Sequence, residues 1–231
     1  MAKASIYQLR VVLEGFKPPV WRRLLVPADY TLGDLHHVLQ AAFQWTDCHL
    51  HGYVLHDRRL RKPTEQLPTL NDDVSYLDIM TALHGRRSFG PARTPFGDPL
   101  DGVGDDDEDT VTLADVLTDE KIKLVYTYDF GDNWDHTIQL QKKLEPEAKQ
   151  TYPTCTAGKR ASPPEDCGGP PGYLHLVEAL ADENHADHED LMEWHGEAID
   201  PEAFDLDEVN ADIARVAESI EKAKANGRGS S

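Results

Sequence analysis

His49-Leu50-His51 sets two imidazoles two residues apart. On a strand, positions i and i+2 face the same way, so both rings can address one metal ion or one proton acceptor. Two hydrogen-bonded histidines satisfy the same spacing. Tyr128-Asp-Phe-Gly-Asp-Asn-Trp-Asp-His136 gathers Asp129, Asp132 and His136 around one tight turn. Carboxylate oxygens and an imidazole nitrogen so placed suit a divalent cation or an acid–base pair. The same aspartates can instead hydrogen-bond the turn backbone while Phe130 and Trp134 fill the core. The Asp-Phe-Gly triplet is not a kinase magnesium motif here, since neither a Gly-rich loop nor a His-Arg-Asp catalytic loop accompanies it.

Cys155 and Cys167 have eleven residues between them, too many for a zinc knuckle. They are either ordinary free thiols or partners that reach the histidines through folding. Glu165 and Asp166, just ahead of Gly168-Gly169, either cap the following helix or take a cation. The candidate metal set is therefore His49, His51, His136, Asp129, Asp132 and Glu165, with one divalent ion as the implied cofactor. In Pro18-Pro-Val-Trp-Arg-Arg23, Trp21 is expected to pack inward. Arg22 or Arg23 is then expected to face out and pair with the carboxylates of the Asp129–Asp132 turn.

Rigid elements must position these groups. Ile6–Leu13 and Val20–Val26 read as strands around a Gly15–Pro19 turn. Thr31 ahead of Leu32, Leu35, Leu39 and Phe43, with Asp34 as capping-box acid, predicts a helix over 32–44. His49–Leu55 reads as a strand. Lys123–Tyr128 and Trp134–Leu140 form a hairpin across Gly131, Asp132 and Asn133. Tyr152–Gly172 reads as a Pro- and Gly-rich loop, and Gly104–Asp109 as a solvated like-charge block. Tyr173, Leu176, Val177 and Leu180 share one helical face, and Leu191, Met192 and Trp194 suggest a short second helix. Val209, Ile213, Val216 and Ile220 mark a last one, with Asp205 or Asp207 as cap and Gly227 as stop. The class is α+β, a largely antiparallel sheet with one early helix and a C-terminal set of helices packed on it. One domain over 1–231 is expected: sheet core in 1–57 and 121–145, a loop-rich insertion over 58–120 with a possible short element at Tyr76–Leu83, and helices over 170–226.

The 231 residues carry a formal net charge of −19, and 39% are hydrophobic, enough for a sizeable core. The charge is regional: the first 100 residues hold 12 basic and 10 acidic side chains, the rest 11 and 32. No Lys or Arg occurs from Ala161 to Ala214. Such a chain is a poor general nucleic-acid binder. Arg58, Arg59, Arg61 and Lys62, with Arg86 and Arg87, are the basic clusters through which nucleic acid is left open. No apolar run approaches a membrane span, no membrane association is expected, and the start of the chain has no signal-peptide core. A cytoplasmic location is therefore expected, and the odd count of three cysteines argues for free thiols or metal ligands over a disulfide framework. A basic protein partner, or none, suits the acidic C-terminal helices.

Taken in order, Pro19-Val-Trp-Arg-Arg23, Phe43-Gln-Trp45, His49-Leu-His51, the Tyr128–His136 segment and Pro163-Pro-Glu-Asp-Cys-Gly-Gly169 followed by Gly172-Tyr173 resemble the Ri-plasmid ORF-three-like family. The resemblance runs from about Ile6 to Ile213. It implies a compact α+β domain and the label of an insertion-element passenger with a resolvase-like name. No serine- or tyrosine-recombinase constellation accompanies that label. Members commonly carry a cysteine directly before Pro-Pro-Glu-Asp, where this chain has Ser162, which weakens a cysteine–zinc reading. Two functions follow: a non-enzymatic accessory or binding protein, or a divalent-metal-dependent hydrolase or nuclease-like enzyme built on the His/Asp set.

Overall fold

The computed structural model describes residues 5–57, 86–91 and 106–228. Alternating apolar residues make Ile6–Leu13 (β1) and Val20–Pro27 (β2) an antiparallel pair, from Ile6 opposite Pro27 to Leu13 opposite Val20. Helix α1 (Leu32–Phe43) starts in a reciprocal capping box. Thr31 Oγ1 accepts the Asp34 N–H at 3.0 Å, and Asp34 Oδ2 accepts the Thr31 N–H at 3.0 Å. Gln44, at φ 57°, ends the helix in the left-handed region.

Strands β3 (His51–His56), β4 (Arg86–Gly90) and β5 (Asp106–Asp107) follow, then a 3-10 turn (Glu108–Thr110) and a short α2 (Leu113–Val116). After them come β6 (Lys123–Tyr128), β7 (Trp134–Leu144) and β8 (Thr154–Lys159). The chain closes with α3 (Gly169–Ala181), α4 (His188–His195) and α5 (Leu206–Arg228). The sheet runs β5-β4-β3-β6-β7-β1-β2-β8. Its neighbours are antiparallel except β4 and β5. The fold is α+β. Among the described residues, no helix is long and apolar enough to cross a membrane.

One sheet face holds the core. Leu9, Val11, Leu13, Val20, Leu24, Tyr53, Tyr126, Trp134 and Ile138 are buried on it. Helix α1 lies against this face so closely that Asp34 and His37 are its unburied residues. Helix α5 packs on α1 and on β8 through Val209, Ile213 and Ile220, and Lys224 Nζ meets Asp34 Oδ2 at 2.8 Å. Asp205 caps α5, its Oδ1 accepting the N–H groups of Asp207 and Glu208 at 2.9 and 3.0 Å. Asn210 treats β8 as a neighbouring strand would. Its Oδ1 accepts the Cys155 N–H at 2.8 Å and its Nδ2 donates to the Cys155 carbonyl at 2.9 Å.

Several expectations change. Thr154–Lys159 is a strand rather than a loop, held by β2 on one side and Asn210 on the other. Arg86–Gly90 and Asp106–Asp107, inside the expected loop-rich stretch, extend the sheet. Glu108, in the expected solvated block, is 5% exposed. Phe130 is exposed instead of filling the core. Helix α5 continues through Gly227 to Arg228. The Arg58, Arg59, Arg61 and Lys62 cluster and the possible element at Tyr76–Leu83 lie outside the described residues.

Candidate metal centre

Three segments meet at one end of the sheet: residues 45–50 between α1 and β3, the 129–133 turn between β6 and β7, and 163–168 ahead of α3. Trp45 Nε1 donates to the Pro163 carbonyl at 2.9 Å. Glu165 Oε2 accepts from the Thr46 N–H at 3.2 Å and the Thr46 hydroxyl at 2.5 Å. Its Oε1 accepts from the Tyr128 hydroxyl at 2.5 Å and the Cys48 thiol at 3.5 Å. Asp132 Oδ2 accepts the Gly168 N–H at 3.1 Å. A Cβ on Gly169, which sits at φ 69°, would stand 2.5 Å from the Asp132 carbonyl oxygen. Only a glycine lets the two backbones approach this closely.

Where these segments meet, His49 Nε2 stands 3.2 Å from Asp166 Oδ1 and 3.8 Å from Asp129 Oδ2. Two donors each about 2.1 Å from one ion stand roughly 3–4 Å apart; both His49 distances fall in that range, and the three ligand atoms all lie within 4.8 Å of one another. His49 Nε2 is buried and has no hydrogen-bond partner among the described residues, because neither carboxylate lies where such a bond requires. Asp129 uses its other oxygen, Oδ1, to accept the Gly131 N–H at 2.8 Å, which fixes the carboxylate's direction. Asp129 and Asp166 adopt φ of 55° and 59°. Side-chain-bearing residues seldom take such values, and they collect at functional sites. The Asp129 side chain is 13% exposed and that of Asp166 69%, so the group is walled on one side and open on the other.

Cys48, His49 and Glu165 form a second group that shares His49. Glu165 already accepts four hydrogen bonds, so it serves as a tie between loops. Tyr128, its phenol pushed up by burial and by Glu165, stays a donor to that carboxylate.

The remaining sequence-predicted residues go elsewhere. Strand β3 begins at His51, so His49 precedes it and the two histidines do not share a strand face. His51 Nε2 meets Glu108 at 2.9 and 3.0 Å and its ring stacks on His36 at 3.5 Å. His136 is fully buried against Phe43 and Trp45. Its Nδ1 bonds the Trp134 carbonyl at 2.9 Å and so carries the proton, leaving Nε2 a bare lone pair. Burial pushes its pKa down to about 3. Asp132 holds the Gly168 loop. All three cysteines are free; Cys155 is buried in β8, and burial, with Asp132 and Asp166 nearby, pushes Cys167 up to about 12.

Arg22 and Trp21 exchange their expected places. Arg22 is 1% exposed and donates to the carbonyls of Ala42 (2.9 Å), Trp21 (3.0 Å), Lys159 (3.1 Å) and Arg160 (3.1 Å), and to Ser162 Oγ (3.0 Å). Its guanidinium lies over the rings of Phe43 and Phe204 at 5.0 and 4.5 Å, and burial lowers its pKa to about 10. No carboxylate among the described residues pairs with it. Trp21 is on the other face, where Arg10 and Arg23 each lie 5.6 Å from its ring. Ser162, the departure from the family pattern, thus belongs to the Arg22 shell.

Sequence reasoning missed Asp47, His36 and Glu108. Burial opposes ionisation of Asp47, but hydrogen bonds from His36 and His37 outweigh it and lower its pKa. Asp47 and His37 line a cavity of about 770 Å³ between α1 and α5. It lies beside the three-segment meeting point and shares only Trp45 and Thr46 of the residues that tie it. The signal for Arg22 was available: in β2, alternation from Val20 through Leu24 puts residue 22 on the core face.

The fold and this corner define an α+β protein in which three loop segments meet at one sheet end. Residues 5–208 match the model of the Plasmid pRiA4b ORF-3-like protein family, and the chain belongs to that family. An uncharacterized protein, y4hQ, of Sinorhizobium fredii (strain NBRC 101917 / NGR234) is 30% identical over 219 residues, covering 94% of this chain and 92% of that protein. The crystal structure of MM3350, a protein of unknown function from Methanosarcina mazei Go1, matches with a TM-score of 0.68 at 34% identity, covering 90% of this chain and 98% of that one.

Proposed function

We propose that this chain binds a divalent transition-metal ion through His49, Asp129 and Asp166, with coordination positions left open on the Asp166 side. One nitrogen and two carboxylate oxygens suit zinc, manganese or iron better than calcium. A metal so held supplies Lewis acidity and lowers the pKa of a bound water, the requirement of a hydrolase or nuclease-like enzyme. Of the two roles expected from the sequence, this is the one the site supports. Three free thiols suit a cytoplasmic setting.

The observation that carries the reading is the buried, unpartnered His49 Nε2 facing two carboxylates. Outer-sphere changes cost metal sites ten- to a hundredfold, so losing a ligand should cost at least about a hundredfold. Titration of chelator-stripped, untagged protein with Zn²⁺ and Mn²⁺ should give one site per chain, weakened by that factor in His49→Ala and Asp129→Asn. Equal affinity in native and variant proteins would overturn the assignment.

A further inference from the structure

Asp166, one of the three grouped residues, also lines a cavity of about 200 Å³. Leu176 of α3 and Leu191 and Trp194 of α4 wall it, and Asp166 and His175 stand at its rim. Asp166 belongs to both places, since it lines this cavity while its Oδ1 faces His49 Nε2 at 3.2 Å. The Trp194 indole is 50% exposed, and α4 buries none of its residues. The core therefore does not account for a tryptophan here. Ligand sites are concave, lined by aromatic and aliphatic side chains with a few polar groups, and this cavity has that lining. His175 adds a hydrogen-bonding group held in place, its Nε2 3.1 Å from Asp187 Oδ2.

We infer that the site takes a small organic ligand with two parts. A metal-ligating, singly anionic head occupies the open side at Asp166, and an aromatic or branched aliphatic group fills the cavity against Trp194, Leu176 and Leu191. This rests on the metal reading and adds the ligand class to it. The charge limit follows from the surroundings. Asp132, Glu165 and Asp166 lie within the meeting segments, and residues 161–214 offer no Lys or Arg to a polyanion. The size limit follows from the cavity, which has room for one ring or branched chain.

The full chain is titrated first with Zn²⁺, and the zinc-loaded protein then with acetohydroxamate and phenylacetohydroxamate, which share a chelating head and differ in one aromatic ring. Burying that ring should make the second bind at least about tenfold more tightly. Trp194→Ala, and separately Leu191→Asp, should reduce that preference to about threefold or less while leaving zinc affinity unchanged. Zinc binding with equal affinity for both hydroxamates, or an undiminished preference in both variants, overturns the ligand inference and leaves the metal reading standing. Zinc binding that is absent, or equal in His49→Ala, overturns the metal reading and the ligand inference with it.

Discussion

Arg22 donates to Ser162 Oγ at 3.0 Å from a position 1% exposed, joining β2 to the segment that carries Glu165 and Asp166. Its other donors serve four backbone carbonyls, so a cage of peptide dipoles replaces a counter-ion. Arg22→Ala removes that donor from all four carbonyls and should lower unfolding free energy by at least about 3 kcal/mol in urea denaturation. Arg22→Lys should recover less than half of the loss, because an ammonium cannot reach acceptors spread around a planar fork.

His51 and Glu108 are a pair of buried partners 57 residues apart, with the imidazole further stacked on His36. Glu108→Ala strips a buried histidine of its acceptor and should cost about 3 kcal/mol. The double variant His51→Leu with Glu108→Leu should be less destabilised than Glu108→Ala alone. A strictly additive double-mutant cycle would show that the two side chains do not interact.

His136 gives the stability a definite pH dependence. Its folded pKa is depressed to about 3 by burial, while the unfolded imidazole titrates near about 6.5. Between these values the unfolded chain binds the extra proton. The contribution is whole above about pH 6.5 and is lost as pH falls toward 3, at up to about 1.4 kcal/mol per pH unit. Chemical denaturation from pH 7 to 4.5 should show this slope, and His136→Leu should flatten it by about one proton.

Gly169 lets the loop that carries Asp166 rest on the β6–β7 turn, and its φ of 69° is costly for any other residue. Gly169→Ala should lose roughly 1–2 kcal/mol from backbone strain alone. Because the added Cβ pushes against the Asp132 carbonyl, it should also weaken divalent-metal binding more than it weakens folding. Parallel measurements of zinc affinity and urea midpoint test this.

The regular parts of the fold were legible because their signals are local. The Thr31–Asp34 box, the alternation in Ile6–Leu13 and the Val209–Ile220 spacing each decide one element without reference to the rest. Thr154–Lys159 carries no such signal, since its Gly158 and flanking Pro153 disfavour a strand, and it becomes one through β2 and Asn210. Buried polar residues were the hardest to read. Arg22, His51 and Glu108 lie inside because partners 20 to 140 residues away accept them. For the candidate site, residue types were readable and grouping was not. His49 and His51 part company because β3 begins two residues later than the apolar pattern suggests.

The Asn210 amide offers the outermost strand the donor and acceptor that a further strand would otherwise supply. A sheet that ended there bare would invite a second molecule to continue it, as in fibrils and swapped dimers. One side chain on the last helix thus stands in for a pairing partner at Cys155 and shortens the bare edge that a second molecule could continue.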